Sequence, residues 1–302
     1  MTDYGHDLLF GAFVTPTAQP VRHAVDLAVT AERAGLDLVT FQDHPYQPRF
    51  HDTWTLLSYV AARTERIHLS GNVLNLPLRQ PAVLARSAAS LDLLSGGRFE
   101  LGIGAGGFWD AIEAMGGRRL SPGQAVDALE EAIRVVREIW AAGKPGGVRV
   151  DGEYYRVHGA KRGPAPAHDV NVWIGAYKPR MLRLTGRVAD GWLPTLQYLQ
   201  GGPADLTQMN ALIDEGAAAA GREPAQVRRL LNIGGQFAST GRSLLNGPPE
   251  QWAEDLAGLT LEHGVSAFIL AADDPAAIEL FAAEVVPVTR QLVAEERARR
   301  AA

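Results

Sequence analysis

Eight short apolar runs rich in β-branched residues, most of them followed by a stretch of helical periodicity, constrain this chain more than any other feature. They are Leu8 to Val14, Leu38 to Asp43, Ile67 to Leu74, Phe99 to Ala105, Val170 to Ala176, Gly191 to Thr195, Leu230 to Phe237 and Ala267 to Ala272. Early in the chain the runs recur at roughly thirty-residue spacing, the length of a strand, a loop, a helix and a return loop. A doubly wound open sheet would show the same alternation. Counting eight units in 302 residues favours a closed (β/α)8 TIM barrel, expected as a single domain over residues 1–302.

Local signals agree. Ser121-Pro122-Gly123-Gln124 reads as a capping box with proline at the first helical position. Val126, Leu129, Ile133, Val136 and Trp140 then recur at three- and four-residue steps, a stripe that should face the sheet. The widest gap between runs holds this helix and an alternating segment, Val148 to His158, which predicts a small hairpin insertion. A second insertion, Ala238 to Pro249, is rich in Gly, Ser and Pro and predicts a mobile loop over one mouth.

At 46% hydrophobic and 21% charged residues, with a net charge of −5, the chain has material for a large core and no electrostatic case for nucleic acid. The basic end Arg297-Ala298-Arg299-Arg300 reads as a solvated helix tip. No run approaches a membrane span, and the start, with Asp3, His6 and Asp7, lacks the basic opening of a signal peptide. The cysteine count is 0, which excludes disulfides, thiolate metal sites and cysteine nucleophiles and fits a cytoplasmic enzyme.

The second run ends in Gln42-Asp43-His44-Pro45, an acid and an imidazole where such a barrel places its chemistry. Phe41-Gln-Asp-His-Pro45, Leu69-Ser-Gly-Asn-Val-Leu-Asn75 with Leu76-Pro-Leu-Arg-Gln-Pro81, and Leu94-Ser-Gly-Gly-Arg-Phe-Glu-Leu-Gly-Ile-Gly-Ala-Gly106 resemble the luciferase-like flavin and deazaflavin oxidoreductases. Asn171-Val-Trp-Ile-Gly-Ala-Tyr-Lys-Pro-Arg180 and Ala189-Asp-Gly-Trp192 extend the resemblance, which runs from about residue 8 to about residue 290. It implies a barrel holding coenzyme F420 or FMN at the C-terminal ends of the strands. The acid–imidazole pair and the turn before Arg180 look more like the F420-dependent branch, in which hydride moves to or from a small organic substrate. The alternative is an FMN-dependent monooxygenase using reduced flavin and oxygen. Similar proteins often form homodimers.

Within that frame His44 is the candidate proton-transfer residue, since imidazole titrates near neutrality. Asp43 would orient it or hydrogen-bond the ring, although the same residues could simply end a strand with turn formers. The resemblance places a non-prolyl cis peptide between Asn72 and Val73, pressing on the ring. Gly175, Ala176 and Tyr177 allow backbone N–H groups to approach the cofactor's phosphate, with Lys178 and Arg180 adding charge at the start of a helix from Lys178 to Val188, though a plain βα turn needs the same glycine.

Gly102 to Gly107 fits G-x-G-x-x-G, but it does not open a βαβ unit and the next clear helix is expected only near Ser121, so a dinucleotide fingerprint is rejected. Gly104, Ala105 and Gly106 are better read as clearance for a flat ring. Phe108 and Trp109 would wall the substrate side, with Tyr46, Trp192 and Phe237 as further candidates. A metal-dependent barrel hydrolase is the enzymatic rival, but the histidines form no H-x-H or H-E-x-x-H, so no metal site is expected. No G-x-S-x-G supports a serine nucleophile. A non-catalytic flavin-binding barrel is the remaining alternative.

Overall fold

The computed structural model describes residues 3–302. Eight parallel strands form a ring: β1 (Leu9–Val14), β2 (Leu38–Phe41), β3 (His68–Gly71), β4 (Phe99–Gly104), β5 (Val172–Ile174), β6 (Gly191–Trp192), β7 (Arg228–Ile233) and β8 (Ala267–Ala271). Each pairs with its successor, β3 meets β4 at Leu69 and Phe99, and β8 returns to β1 at Ala267 and Leu9. The closed ring leaves no unpaired barrel edge.

Seven strands lie inside the apolar runs read from the sequence. The exception is β7, which begins earlier, at Arg228, and stops at Ile233. Its start was hidden by two charged residues. Arg229 is fully buried there and donates to Asn210 Oδ1 at 2.9 Å and to Tyr4 Oη at 3.0 Å, so a charge inside a strand is accommodated by dedicated partners.

Ten helices connect and cover the ring: α1 (His23–Arg33), α2 (Thr53–Ala61), α3 (Pro81–Ser95), α4 (Trp109–Ala114), α5 (Pro122–Trp140), α6 (Pro179–Val188), α7 (Ala204–Ala219), α8 (Pro249–His263), α9 (Pro275–Leu280) and α10 (Val286–Ala301). The capping box on α5 is formed, Ser121 N donating to Gln124 Oε1 at 2.9 Å and Gln124 N to Ser121 Oγ at 3.4 Å. Val126, Leu129, Ile133 and Val136 are buried along its inner face, as the periodicity predicts. No described helix is long and apolar enough to cross a membrane.

Apolar packing falls into two clusters. Leu38, Trp173, Leu193, Leu230, Ala267 and Ile269 form the inner one, and a larger cluster fills the space between strands and helices. The Trp173 indole needs a missing side chain opposite: a Cβ on Gly191 would lie 2.5 Å from Trp173 Cδ1.

The expected hairpin is present, Val148–Asp151 pairing antiparallel with Arg156–Ala160, with Val148 and Val150 turned inward. The second insertion is more ordered than its composition suggests. Asn246–Gly247 pairs with Gln236–Phe237, and Leu245 is fully buried with its N–H donating to Asp255 Oδ2 at 2.8 Å. One apolar side chain and one carboxylate on α8 tie down a segment that otherwise reads as loop.

Candidate active site

A cleft of about 390 Å³ opens at the C-terminal ends of the strands, where a barrel of this kind places its chemistry. It brings together Asp43, His44 and Tyr46 after β2, Asn72 and Val73 after β3, Gly104 to Phe108 after β4, Gly175 and Tyr177 after β5, and Asn232 on β7. The Asn72–Val73 peptide is cis, at the position the resemblance implies.

Asp43 does not orient the imidazole. Its buried carboxylate accepts from Arg79 Nε and Nη2, each at 2.8 Å, and from Asn75 N at 2.9 Å. Arg79 Nη2 also reaches Asp52 Oδ2 at 3.3 Å, and Asp52 caps α2 by accepting from Thr55 N. A fork-to-fork ion pair of this geometry fixes backbone as well as charge. Asp43 therefore acts as an anchor for the end of β2, and His44 is positioned through the chain.

The His44 ring stacks on Tyr46, centroids 5.3 Å apart, and meets the edge of Phe108 at 5.2 Å. Neither ring nitrogen has a hydrogen-bond partner among the described residues. Burial lowers its pKa below the ordinary 6.5, with the Asp43 charge opposing part of that shift. The imidazole is consequently neutral at pH 7 and able to accept a proton. Burial likewise pushes the Tyr46 hydroxyl up to about 12, helped by the nearby Asp43 charge, so it remains a donor.

At the cleft floor, four polar side chains on or just after β2, β3, β6 and β7 join across the barrel. Asn72 Nδ2 donates to Asn232 Oδ1 at 2.7 Å and to Thr40 Oγ1 at 3.1 Å, while Asn232 Nδ2 donates to Asn72 Oδ1 at 3.1 Å and to Thr195 Oγ1 at 3.2 Å. Asn72 is thus fixed within the cleft floor. Asn75 Oδ1 and Tyr46 Oη, by contrast, are buried and without a partner. Unpaired buried polar atoms are uncommon in native proteins, and two on the wall of one cleft fit a polar, flat ligand ring.

The glycine run after β4 divides its work. A Cβ on Gly104 would lie 2.6 Å from Val73 Cγ2, so this glycine admits the segment after β3, whereas one on Gly107 would meet nothing within 4 Å. Gly106 has φ +98°, and a Cβ there would come within 2.7 Å of Pro77. Ala105 lies between them with little exposure. A short helix, α4, starts at Trp109 directly after the run, earlier than the sequence suggests.

Several candidates sit elsewhere. Trp192 is 1% exposed between barrel and helices and donates Nε1–H to Ala176 O at 2.9 Å; its neighbour Leu193 lines the cleft instead. Phe237 stacks on Trp252 at 4.5 Å, and Trp109 packs against the core outside the cleft. Arg180 turns away to Asp127 and to Gly123 O at 3.1 Å. Ala176 is buried behind the wall, while Lys178 is exposed at the N-cap of α6 with no side-chain cap bond. Tyr177 Oη accepts from Thr195 N at 2.9 Å, joining β5 to β6.

Sequence reasoning missed Arg79, Asn75, Thr40, Thr195 and Asn232. For Arg79 a signal existed: an aspartate at the end of a buried strand requires a cation, and Leu76-Pro-Leu-Arg79 supplies one.

Residues 3–241 match the sequence profile of the family described as luciferase-like monooxygenase. A protein named F420-dependent glucose-6-phosphate dehydrogenase from Kineococcus radiotolerans is 34% identical over 219 residues, covering 69% of this chain and 62% of that protein. One of the same name from Nocardia farcinica is 34% identical, covering 70% and 64%. The chain thus spans under two thirds of these relatives' length. An F420-dependent secondary alcohol dehydrogenase shares the fold with TM-score 0.81 at 19% identity, covering 94% of this chain and 99% of that one. EDTA monooxygenase from Chelativorans sp. BNC1 does so with TM-score 0.80 at 16% identity, covering 95% and 94%. Because the profile match runs through every strand from β1 to β7, and so through all the elements that frame the cleft, the chain belongs to the luciferase-like monooxygenase family.

Proposed function

We propose that this chain is an F420-dependent oxidoreductase that transfers a hydride between the deazaflavin and a small organic substrate. The observation that carries the reading is His44: a half-buried, neutral imidazole with no protein partner, facing a cleft whose walls hold the unpaired Asn75 Oδ1 and Tyr46 Oη. Bound F420 supplies a two-electron hydride carrier. His44 accepts or returns the substrate's proton, and Tyr46 donates a hydrogen bond within the same cleft. Asn75 meets the polar edge of the ring, while Asn72, Val73 and Gly104 to Gly106 form the surface on which it rests. Gly175, Tyr177 and Lys178, at the N-terminus of α6, hold the cofactor's phosphate through backbone N–H groups and one full charge. The names of the relatives at 34% identity support F420 over FMN.

Titrating F420 and FMN separately against tryptophan fluorescence tests this directly. Saturable binding of F420, tighter than that of FMN, is the expected result. Tighter FMN binding with oxygen consumption on adding reduced flavin would establish the monooxygenase reading in its place. Outward-facing Tyr59 on α2 with Val83 and Leu94 on α3 support pairing of two copies through the barrel flank. A one-chain mass by light scattering counts against that part.

A further inference from the structure

We propose that the substrate space of this cleft takes an uncharged, largely apolar alcohol or carbonyl compound and rejects phosphorylated sugars. This rests on the hydride-transfer reading and narrows it.

Two features of the cleft lead there. The first is its rim. Phe108 is 61% exposed and Tyr198 is 72% exposed, at the mouth after β4 and β6, backed by Tyr46 at 6.0 Å from Phe108 and by Tyr177 at 6.0 Å from Tyr198. Large aromatics held out in water around a concave site mark a surface that gains by covering an apolar partner. Leu193 and Phe13 continue that apolar lining inward.

The second feature is charge. Among the described residues no lysine or arginine side chain lines the cleft. The arginine beneath it, Arg79, is committed to Asp43 through both arms of its guanidinium. Arg180 is spent on Asp127. Lys178, exposed at the start of α6, serves the cofactor's phosphate in the proposed arrangement. His44 contributes no positive charge at neutral pH, since burial keeps it neutral. A phosphate dianion entering this space would give up water without gaining a cation. A single hydroxyl or carbonyl oxygen, in contrast, finds Tyr46 Oη, a buried donor with no partner, and His44 stacked next to it. Polar recognition is therefore matched to one neutral oxygen.

Isothermal titration of the F420-saturated protein with cyclohexanone and with glucose 6-phosphate tests the proposal by binding rather than turnover. Cyclohexanone is expected to bind saturably, at least about tenfold tighter than glucose 6-phosphate. Equal or tighter binding of the sugar phosphate, or no binding of the ketone, overturns it. Phe108→Ala changes an exposed side chain and leaves the fold intact; it is expected to weaken cyclohexanone about tenfold with the F420 dissociation constant unchanged, and an unchanged ketone affinity overturns the role given to the rim. Should F420 fail to bind, the hydride-transfer reading falls separately. The same two titrations on the cofactor-free protein then decide the charge question, with preference for the ketone supporting it and preference for the sugar phosphate refuting it.

Discussion

The two ends of the barrel treat polar groups in opposite ways. At the N-terminal end buried charged side chains are densely paired. Glu100, at the start of β4, accepts from Asn171 N at 2.7 Å and Asn171 Nδ2 at 3.1 Å, and lies 3.4 Å from His168 Nε2 and 3.8 Å from His68 Nδ1. Arg98 donates to Thr64 Oγ1, Ile67 O, Ala61 O and Thr64 O at 2.9 to 3.0 Å. At the C-terminal end Tyr46 Oη and Asn75 Oδ1 are buried without partners, and the His44 ring is held by aromatic contacts. Satisfied networks hold a fold together, whereas unsatisfied ones wait for a ligand. On the proposed reading, stability sits at one mouth and chemistry at the other.

Substitutions at the two ends should therefore separate activity from stability. The largest effect is expected from His44→Ala, which should lower turnover by about 10² to 10⁴ while leaving the unfolding midpoint and F420 affinity nearly unchanged; a turnover within threefold (~) of the parent would remove His44 from the chemistry. In the parent enzyme the rate should fall with decreasing pH only below 6.5, because the folded imidazole titrates lower than that. At the opposite end, Arg229→Met removes the buried cation that Asp214, Asn210 and Tyr4 share and should cost about 3 kcal/mol of stability, read by urea unfolding, with turnover at low temperature preserved. Loss of turnover without loss of stability would break the division between the ends.

Smaller effects sharpen it. Lys178→Ala should weaken F420 binding about tenfold, or roughly 1.4 kcal/mol, with little change in the rate at saturation; an unchanged dissociation constant takes Lys178 out of the phosphate site. The smallest concerns pH. Donating a hydrogen bond to the Glu100 carboxylate raises the His168 pKa to about 9 against burial, with Asp92 assisting. Protonated His168 thus adds stability in full below the ordinary 6.5, and that contribution is lost as pH rises through about 9. Unfolding free energy should decline over that window, and Glu100→Gln should flatten the decline. A slope that survives in Glu100→Gln assigns it to another group.

Much of the fold was legible because parallel strands buried on both faces read as unbroken apolar runs, which is why seven of the barrel strands lie where the sequence puts them. The ends of strands were less legible. Trp192 and Leu193 are adjacent, and alternation sends the first into the helix layer and the second into the barrel, so a one-residue ambiguity decides which of them meets a ligand. Asp43-His44 stood out as a motif, but Arg79, Asn75 and Asn232 did not. Their roles arise from contacts between residues up to 160 positions apart, such as Asn72 with Asn232, and no local spacing encodes those. Arg180 was misplaced for a related reason: helix position gave its neighbourhood, and only packing against α5 revealed that Asp127 had claimed it.

One guanidinium grips both Asp43 and Asp52. The chain between them, carrying His44 and Tyr46, is a lariat whose neck is Arg79. With the neck fastened, and with Arg49 O accepting from Ala18 N at 2.7 Å, the exposed side chains of the bend at Gln47 to Arg49 can vary in composition without disturbing where the imidazole stands.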